Sequence, residues 1–142
     1  MTEKNWIYWV SRWGPAILLM GVIFLASSTP STSMPNFGLV DLLVKKGGHM
    51  LGYGLLGLLF YRAIQQPGRR GFLLAFVLTV LYAASDEYHQ SFVFGRGSTW
   101  VDVVIDGTGA LVALFLISRW PWLRRAVNTI VPEPDRFGKQ SA

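Results

Sequence analysis

Three short polar clusters interrupt an otherwise apolar chain: Lys45-Lys46-Gly47-Gly48-His49, Asp86-Glu87-Tyr88-His89-Gln90, and the stretch from Arg96 to Asp106. Together they hold four of the eight acidic residues, both histidines and only three of the thirteen basic residues. Placed on helices, Lys46, His49 and Tyr53 stand at i, i+3 and i+7 and share one stripe. Asp86, His89 and Gln90 share a second face, with Glu87 reaching Gln90 at i+3. Asp102, Asp106 and Gly109 share a third.

Three chemistries fit these side chains. A histidine with two or three carboxylates can bind a divalent metal. A histidine–carboxylate pair can serve as general base for hydrolysis or transfer, with His49 as base and Glu87 or Asp102 as its orienter. Lys46 and Arg96 can hold an anionic headgroup or carboxylated ligand without any reaction. A fourth use is structural, with the charges neutralising one another and fixing helix packing, and it suits Asp86 and Tyr88 best. For Glu87 and His49 both uses stay open. Arg96, between Gly95 and Gly97 and after the apolar Phe92-Val93-Phe94, has the planar fork for a bidentate grip on carboxylate or phosphate. It can equally be an interfacial anchor or a clamp on Asp102. Asp106 lies about 10 Å along a helix from Thr99 and so needs a proton or a partner, with Arg96, His49 and Lys46 at hand.

The elements that must position these groups are hydrophobic. The 142 residues are 51% hydrophobic, 14% aromatic and 15% charged, against roughly 25% charged in ordinary soluble domains. A chain of this length forms one domain. With no cysteine, disulfides, thiolate metal sites and thiol nucleophiles are excluded. The formal charge of +5 does not point to nucleic acid, because the basic residues stand beside apolar segments and no nucleic-acid motif is present.

Four segments read as membrane-spanning helices: Trp13–Ser28, Gly48–Ile64, Gly71–Ser85 extending toward Gln90, and Thr99–Ser118. Crossing the hydrocarbon takes about 20 residues. The second and third reach that length only by including their polar ends, which draws the clusters into the outer zone of the bilayer. A soluble bundle would need four polar faces, and these segments show almost none. Ten of the thirteen basic residues fall in the N-terminal segment, the link between spans two and three, and the tail. Both termini are therefore expected on the cytoplasmic side. Trp6, Trp9, Trp13, Trp120 and Trp122 fit an inner aromatic belt, with Trp6 and Trp9 able to lie flat in the interface. Ala26-Ser27-Ser28 offers a signal-peptidase-like site, although the preceding region is long and rich in tryptophan for a signal peptide. The link from Ser27 to Gly38 reads as an exposed loop, Gln65-Gln66-Pro67-Gly68 as a tight turn, and the tail as a disordered end. This divides the chain into an interfacial segment 1–12, a membrane domain 13–118 and a basic cytoplasmic tail 119–142.

The motifs Lys46-x-x-His49-x-x-x-Tyr53, Asp86-Glu87-x-His89-Gln90-x-Phe92, Arg96 and Asp102-x-x-x-Asp106-x-x-Gly109 resemble the VanZ-like family of small membrane proteins. The Ser27-Ser28-x-Pro30 exit from the first span is also similar, and the resemblance covers about Gly21 to Leu116. It implies a four-helix membrane domain with its polar signature facing outside. It carries over Lys46, His49, Tyr53, Glu87, Gln90, Arg96, Asp102, Asp106 and Gly109. The family is named after an accessory protein linked to low-level teicoplanin resistance. Phe94 stands where the family often has proline, and Ala113 where it often has a second glycine, so a different loop turn and a looser fourth helix are expected.

The sequence thus predicts an all-α, four-helix integral membrane bundle of a bacterial plasma membrane with cytoplasmic termini. Its outward polar pocket would bind an anionic lipid or lipid-linked wall precursor through Lys46 and Arg96, with Glu87, Gln90 and Asp102 orienting it and Tyr53 and Asp106 lining it. The alternative is a membrane-embedded hydrolase or transferase with His49, Glu87 and Asp102 as catalytic candidates, with or without a metal. No cofactor is required, and the lipid bilayer is the expected surrounding. A cysteine introduced at Gly68 in this cysteine-free chain should label from the cytoplasmic side only. Labelling from outside would reverse the orientation.

Overall fold

The computed structural model describes residues 3–30, 39–66, 68–120 and 122, with only the backbone of 3–5 and 39–42. The tail and most of the link before the second helix lie outside the described residues. Four helices make up the fold: α1 (Glu3–Ser27), α2 (Leu39–Ile64), α3 (Gly68–Gln90) and α4 (Trp100–Arg119). No strand occurs among the described residues. Helix α1 begins ten residues ahead of the expected span, because nothing before Gly14-Pro15 interrupts it. The boundary expected at residue 12 therefore falls inside one continuous helix.

Helices α1, α3 and α4 contain stretches long and apolar enough to cross a membrane, namely Trp6–Ser27, Gly68–Gln90 and Trp100–Arg119. Helix α2 has 26 residues and carries Lys45, Lys46, Arg62 and five glycines. It packs most extensively against α4 and also contacts α1 and α3. Large apolar side chains point outward all round, among them Leu18, Leu25, Leu51, Leu81, Val104 and Phe115. The few fully buried side chains include Tyr53, Thr79 and Asp106, which carry polar groups. This inversion of the usual soluble pattern is what hydrocarbon as solvent demands.

Without a hydrophobic drive between helices in lipid, close backbone approach holds them together. Helices α2 and α4 make the closest approach. A β-carbon on Gly109 would collide with the Met50 carbonyl, and one on Gly54 would lie 3.2 Å from the Gly109 carbonyl oxygen. Ala113 fits beside this crossing, its β-carbon 3.5 Å from the same Gly54 position, so the alanine is accommodated in ordinary contact.

Pro15 sits inside α1 and has no N–H to offer the Ser11 carbonyl four residues earlier. Arg62 of α2 supplies the missing donor, its Nη1 lying 3.3 Å from both the Ser11 and Arg12 carbonyl oxygens. A backbone defect in one helix thereby becomes a tie to its neighbour. Arg62→Ala should lower stability in detergent by about 1 kcal/mol. Pro15→Ala restores the helical donor, so chemical unfolding should show a much smaller loss for Arg62→Ala in that background.

Candidate functional site

Ser27 ends α1, Lys46 and His49 lie in the first half of α2, Asp86 to Gln90 end α3, and Asp102 and Asp106 open α4. Antiparallel packing of neighbours brings these four ends together. The carboxylate of Asp86, 2% exposed, is where three of them meet. Its Oδ2 accepts from Ser27 Oγ at 2.7 Å, Tyr53 OH at 3.0 Å and Gln90 Nε2 at 3.0 Å. One oxygen thus ties α1, α2 and α3, while its twin Oδ1 is buried with no hydrogen-bond partner among the described residues.

Gln90 extends the network. Its Nε2 also lies 3.2 Å from Glu87 Oε1, while its Oε1 accepts from Arg96 Nη1 at 2.8 Å. Two carboxylates on one side and a guanidinium on the other leave the amide one sensible orientation. Glu87, 6% exposed, is held by the α3–α4 link: Thr99 N donates to its Oε2 at 3.3 Å, and Ser98 Oγ donates to its main-chain carbonyl at 2.7 Å. Arg96 folds back over α1, its Nε 3.2 Å from the Thr29 carbonyl oxygen and its Nη2 2.9 Å from that of Ala26. A guanidinium on carbonyls at a helix C-terminus satisfies orphan acceptors and complements the dipole. The turn that permits this passes through Gly95 at φ 75°, which leaves Phe94 exposed and in no conflict with the loop.

On the α2–α4 side, Lys46 Nζ meets Asp102 Oδ1 at 2.6 Å, and Thr99 Oγ1 donates to Asp102 Oδ2 at 2.8 Å. The clamp considered between Arg96 and Asp102 is therefore replaced. Lysine takes the carboxylate because it projects from the facing helix, whereas Arg96 is occupied on α1 and Gln90. His49 Nδ1 stands 3.8 Å from Asp106 Oδ2, within ion-pair reach if the imidazole is protonated and too long for a direct hydrogen bond. Asp106 is 1% exposed, and that same oxygen has no hydrogen-bond partner among the described residues. The His49 ring stacks on Tyr53 with centroids 6.2 Å apart, joining this half of the cluster to Asp86.

Lys46, His49, Tyr53, Asp86, Glu87, Gln90, Arg96, Asp102 and Asp106 lie in this cluster and Gly109 in the helix contact beneath it, whereas Tyr88 is exposed and packs edge to face on Phe92. Buried Tyr53, Asp86 and Asp106 form its floor, and the partly exposed Lys46, His49 and Arg96 form its lip. Sequence reasoning missed the parts played by Ser27, Ser98 and Thr99. Serine and threonine near helix ends are common, and only the 59-residue separation closed by Ser27 and Asp86 reveals the role. His89 was grouped with Asp86 and Gln90, but its ring stacks on Phe24 of α1 at 4.2 Å. Among the described residues no group of three or more His, Asp or Glu is arranged to hold a metal ion.

Four apolar helices closing one polar cluster at their ends define a small membrane protein with an embedded polar site. Residues 13–123 match the VanZ/LLP1 family, and the chain belongs to it. Neither the curated proteins nor the solved structures gave a match.

Removing Asp86 would strand three donors at once in a place water does not reach. Asp86→Ala should lower stability by about 3 kcal/mol, and Tyr53→Phe by about 1 kcal/mol. Unfolding titrations in detergent would measure both. Equal, small losses would mean that the donors re-pair among themselves.

Proposed function

We propose that the cluster lies at the outer leaflet of a bacterial plasma membrane, with both termini cytoplasmic, and binds an anionic amphiphile there, a lipid or a lipid-linked wall precursor. The observation that carries this reading is the environment of Arg96. Its three hydrogen bonds go to neutral oxygens, those of Gln90, Thr29 and Ala26. Its charge is thus oriented without direct neutralisation, and one hydrogen on each Nη remains for a phosphate or carboxylate oxygen. Lys46 is already paired with Asp102 and joins the anion by exchanging partners. On this reading the chain is a non-transport factor of the cell envelope, and a link to glycopeptide resistance such as teicoplanin resistance would follow from occupancy of a wall precursor.

A second reading is favoured by one further observation. The buried Asp106 facing His49 Nδ1 is the arrangement that would orient an imidazole as general base, as expected for a hydrolase or transferase. Glu87 and Asp102 would then shape the substrate's surroundings.

Mass spectrometry of lipids that co-purify in mild detergent tests the first reading. Anionic amphiphiles should be enriched, and Arg96→Gln should remove one bound equivalent of them. Arg96→Lys should lose nearly as much, because an ammonium on a flexible stem cannot hold three separate oxygens and an anion together. His49→Ala should retain binding. Turnover of a bound lipid ester that vanishes in His49→Ala, with binding intact, would instead select the hydrolase or transferase. Undiminished retention in Arg96→Gln would remove the anion-binding role.

A further inference from the structure

The bundle end opposite the polar cluster carries a second arrangement that the proposed function leaves unused. Arg12 of α1 lies against the C-terminus of α2, where its Nε donates to the Ala63 carbonyl and its Nη2 to that of Ile64 at 2.9 Å. Its Nη1 lies 3.0 Å from Tyr8 OH, which in turn donates to Gln65 Oε1 at 2.8 Å. Two aromatic rings flank the guanidinium, with Cζ 5.6 Å from the Tyr8 centroid and 5.3 Å from that of Trp9. The Tyr8 and Trp9 rings meet edge to face at 6.0 Å. As with Arg96, these hydrogen bonds go to neutral oxygens, and one hydrogen on each Nη is left over.

The charge around Arg12 is one-sided. Arg62 sits beside it, donating to its main-chain carbonyl. Arg69 and Arg70 stand exposed in the first turn of α3, where the helix dipole disfavours cations. The four carboxylates whose side chains are described, Asp86, Glu87, Asp102 and Asp106, all lie at the other end. Trp6 and Trp9 are half exposed beside this cationic face, as rings at the level of lipid headgroups are.

We propose that Arg12, flanked by Tyr8 and Trp9, is a binding site for the phosphate of an anionic phospholipid in the leaflet opposite the polar cluster. The lipid supplies a negative charge beside Arg12 that no described side chain there supplies. Its phosphate engages the remaining Nη hydrogens while its chains lie along the exposed apolar face of α1. Arg69 and Arg70 strengthen the local field without being tied into the packing. Bound there, the lipid bridges α1 and the end of α2 through the same guanidinium that caps α2.

The test uses the full chain in phosphatidylcholine nanodiscs with phosphatidylglycerol titrated in, reading the lipids retained on release by native mass spectrometry. Phosphatidylglycerol should be retained in preference to phosphatidylcholine. Arg12→Gln should lower that retention by about tenfold, while Arg96→Gln leaves this bound equivalent in place. That contrast separates this site from the one at the opposite leaflet. Because Arg12 also caps α2, Trp9→Leu is the second variant, expected to keep the fold and to lower retention by about threefold. Equal retention of the two lipids would overturn the proposal, as would unchanged retention in both variants. Displacement of the lipid by millimolar inorganic phosphate would reassign the site to a soluble anion and overturn it as well.

Discussion

A carboxylate set among apolar helices must find its donors inside the protein, since hydrocarbon offers none. Asp86 meets that demand by taking hydroxyls from two other helices and an amide from its own. Much of the architecture at this end follows. Ser27 must close α1 at that depth, Tyr53 must face inward from α2, and Gln90 must stay helical to reach back one turn. The chain link to α4 then serves Glu87, the next carboxylate, through Ser98 and Thr99. In water such bonds would exchange with solvent at little net cost. Here each missing partner leaves a stranded polar group.

Arginine is used the same way at both ends of the bundle. Arg96 caps the end of α1 and Arg12 the end of α2, each through main-chain carbonyls of the last turn or just beyond it. Arg62 does a related job in mid-helix, answering the carbonyl that Pro15 releases. A fork with five donors can meet several such oxygens and still keep hydrogens in hand, which a lysine cannot. The structural roles of Arg12 and Arg96 thus leave donors unused on each fork.

The polar cluster also carries an imbalance. Four carboxylates gather near Lys46 and Arg96, and of these groups Lys46 and Asp102 touch directly. Among the described residues Asp86 Oδ1 and Asp106 Oδ2 are closed off from solvent without a hydrogen-bond partner, so the buried part of the cluster is acidic while its partly exposed edge is cationic. His49 stands between the buried carboxylates and the partly exposed cations, its Nδ1 3.8 Å from Asp106 Oδ2.

Composition and spacing determined a good deal by themselves. Long apolar runs ended by charged clusters give helices in lipid, because backbone groups there must pair within the segment. The i, i+3, i+7 spacing of Lys46, His49 and Tyr53 places them on one stripe whatever the helix later packs against. The VanZ/LLP1 membership could also be read from motif order, and residues 13–123 bear it out. Partner choice could not be read. Lys46 rather than Arg96 takes Asp102, Arg96 turns to α1, and Ser27 closes on Asp86 across 59 residues. The extensive packing of α2 against α4 was equally hidden, since shelter by neighbours is a property of the packed bundle. Periodicity is local and survives in the sequence, whereas which donor meets which acceptor depends on helix crossings set by small contacts such as Gly109 against Met50.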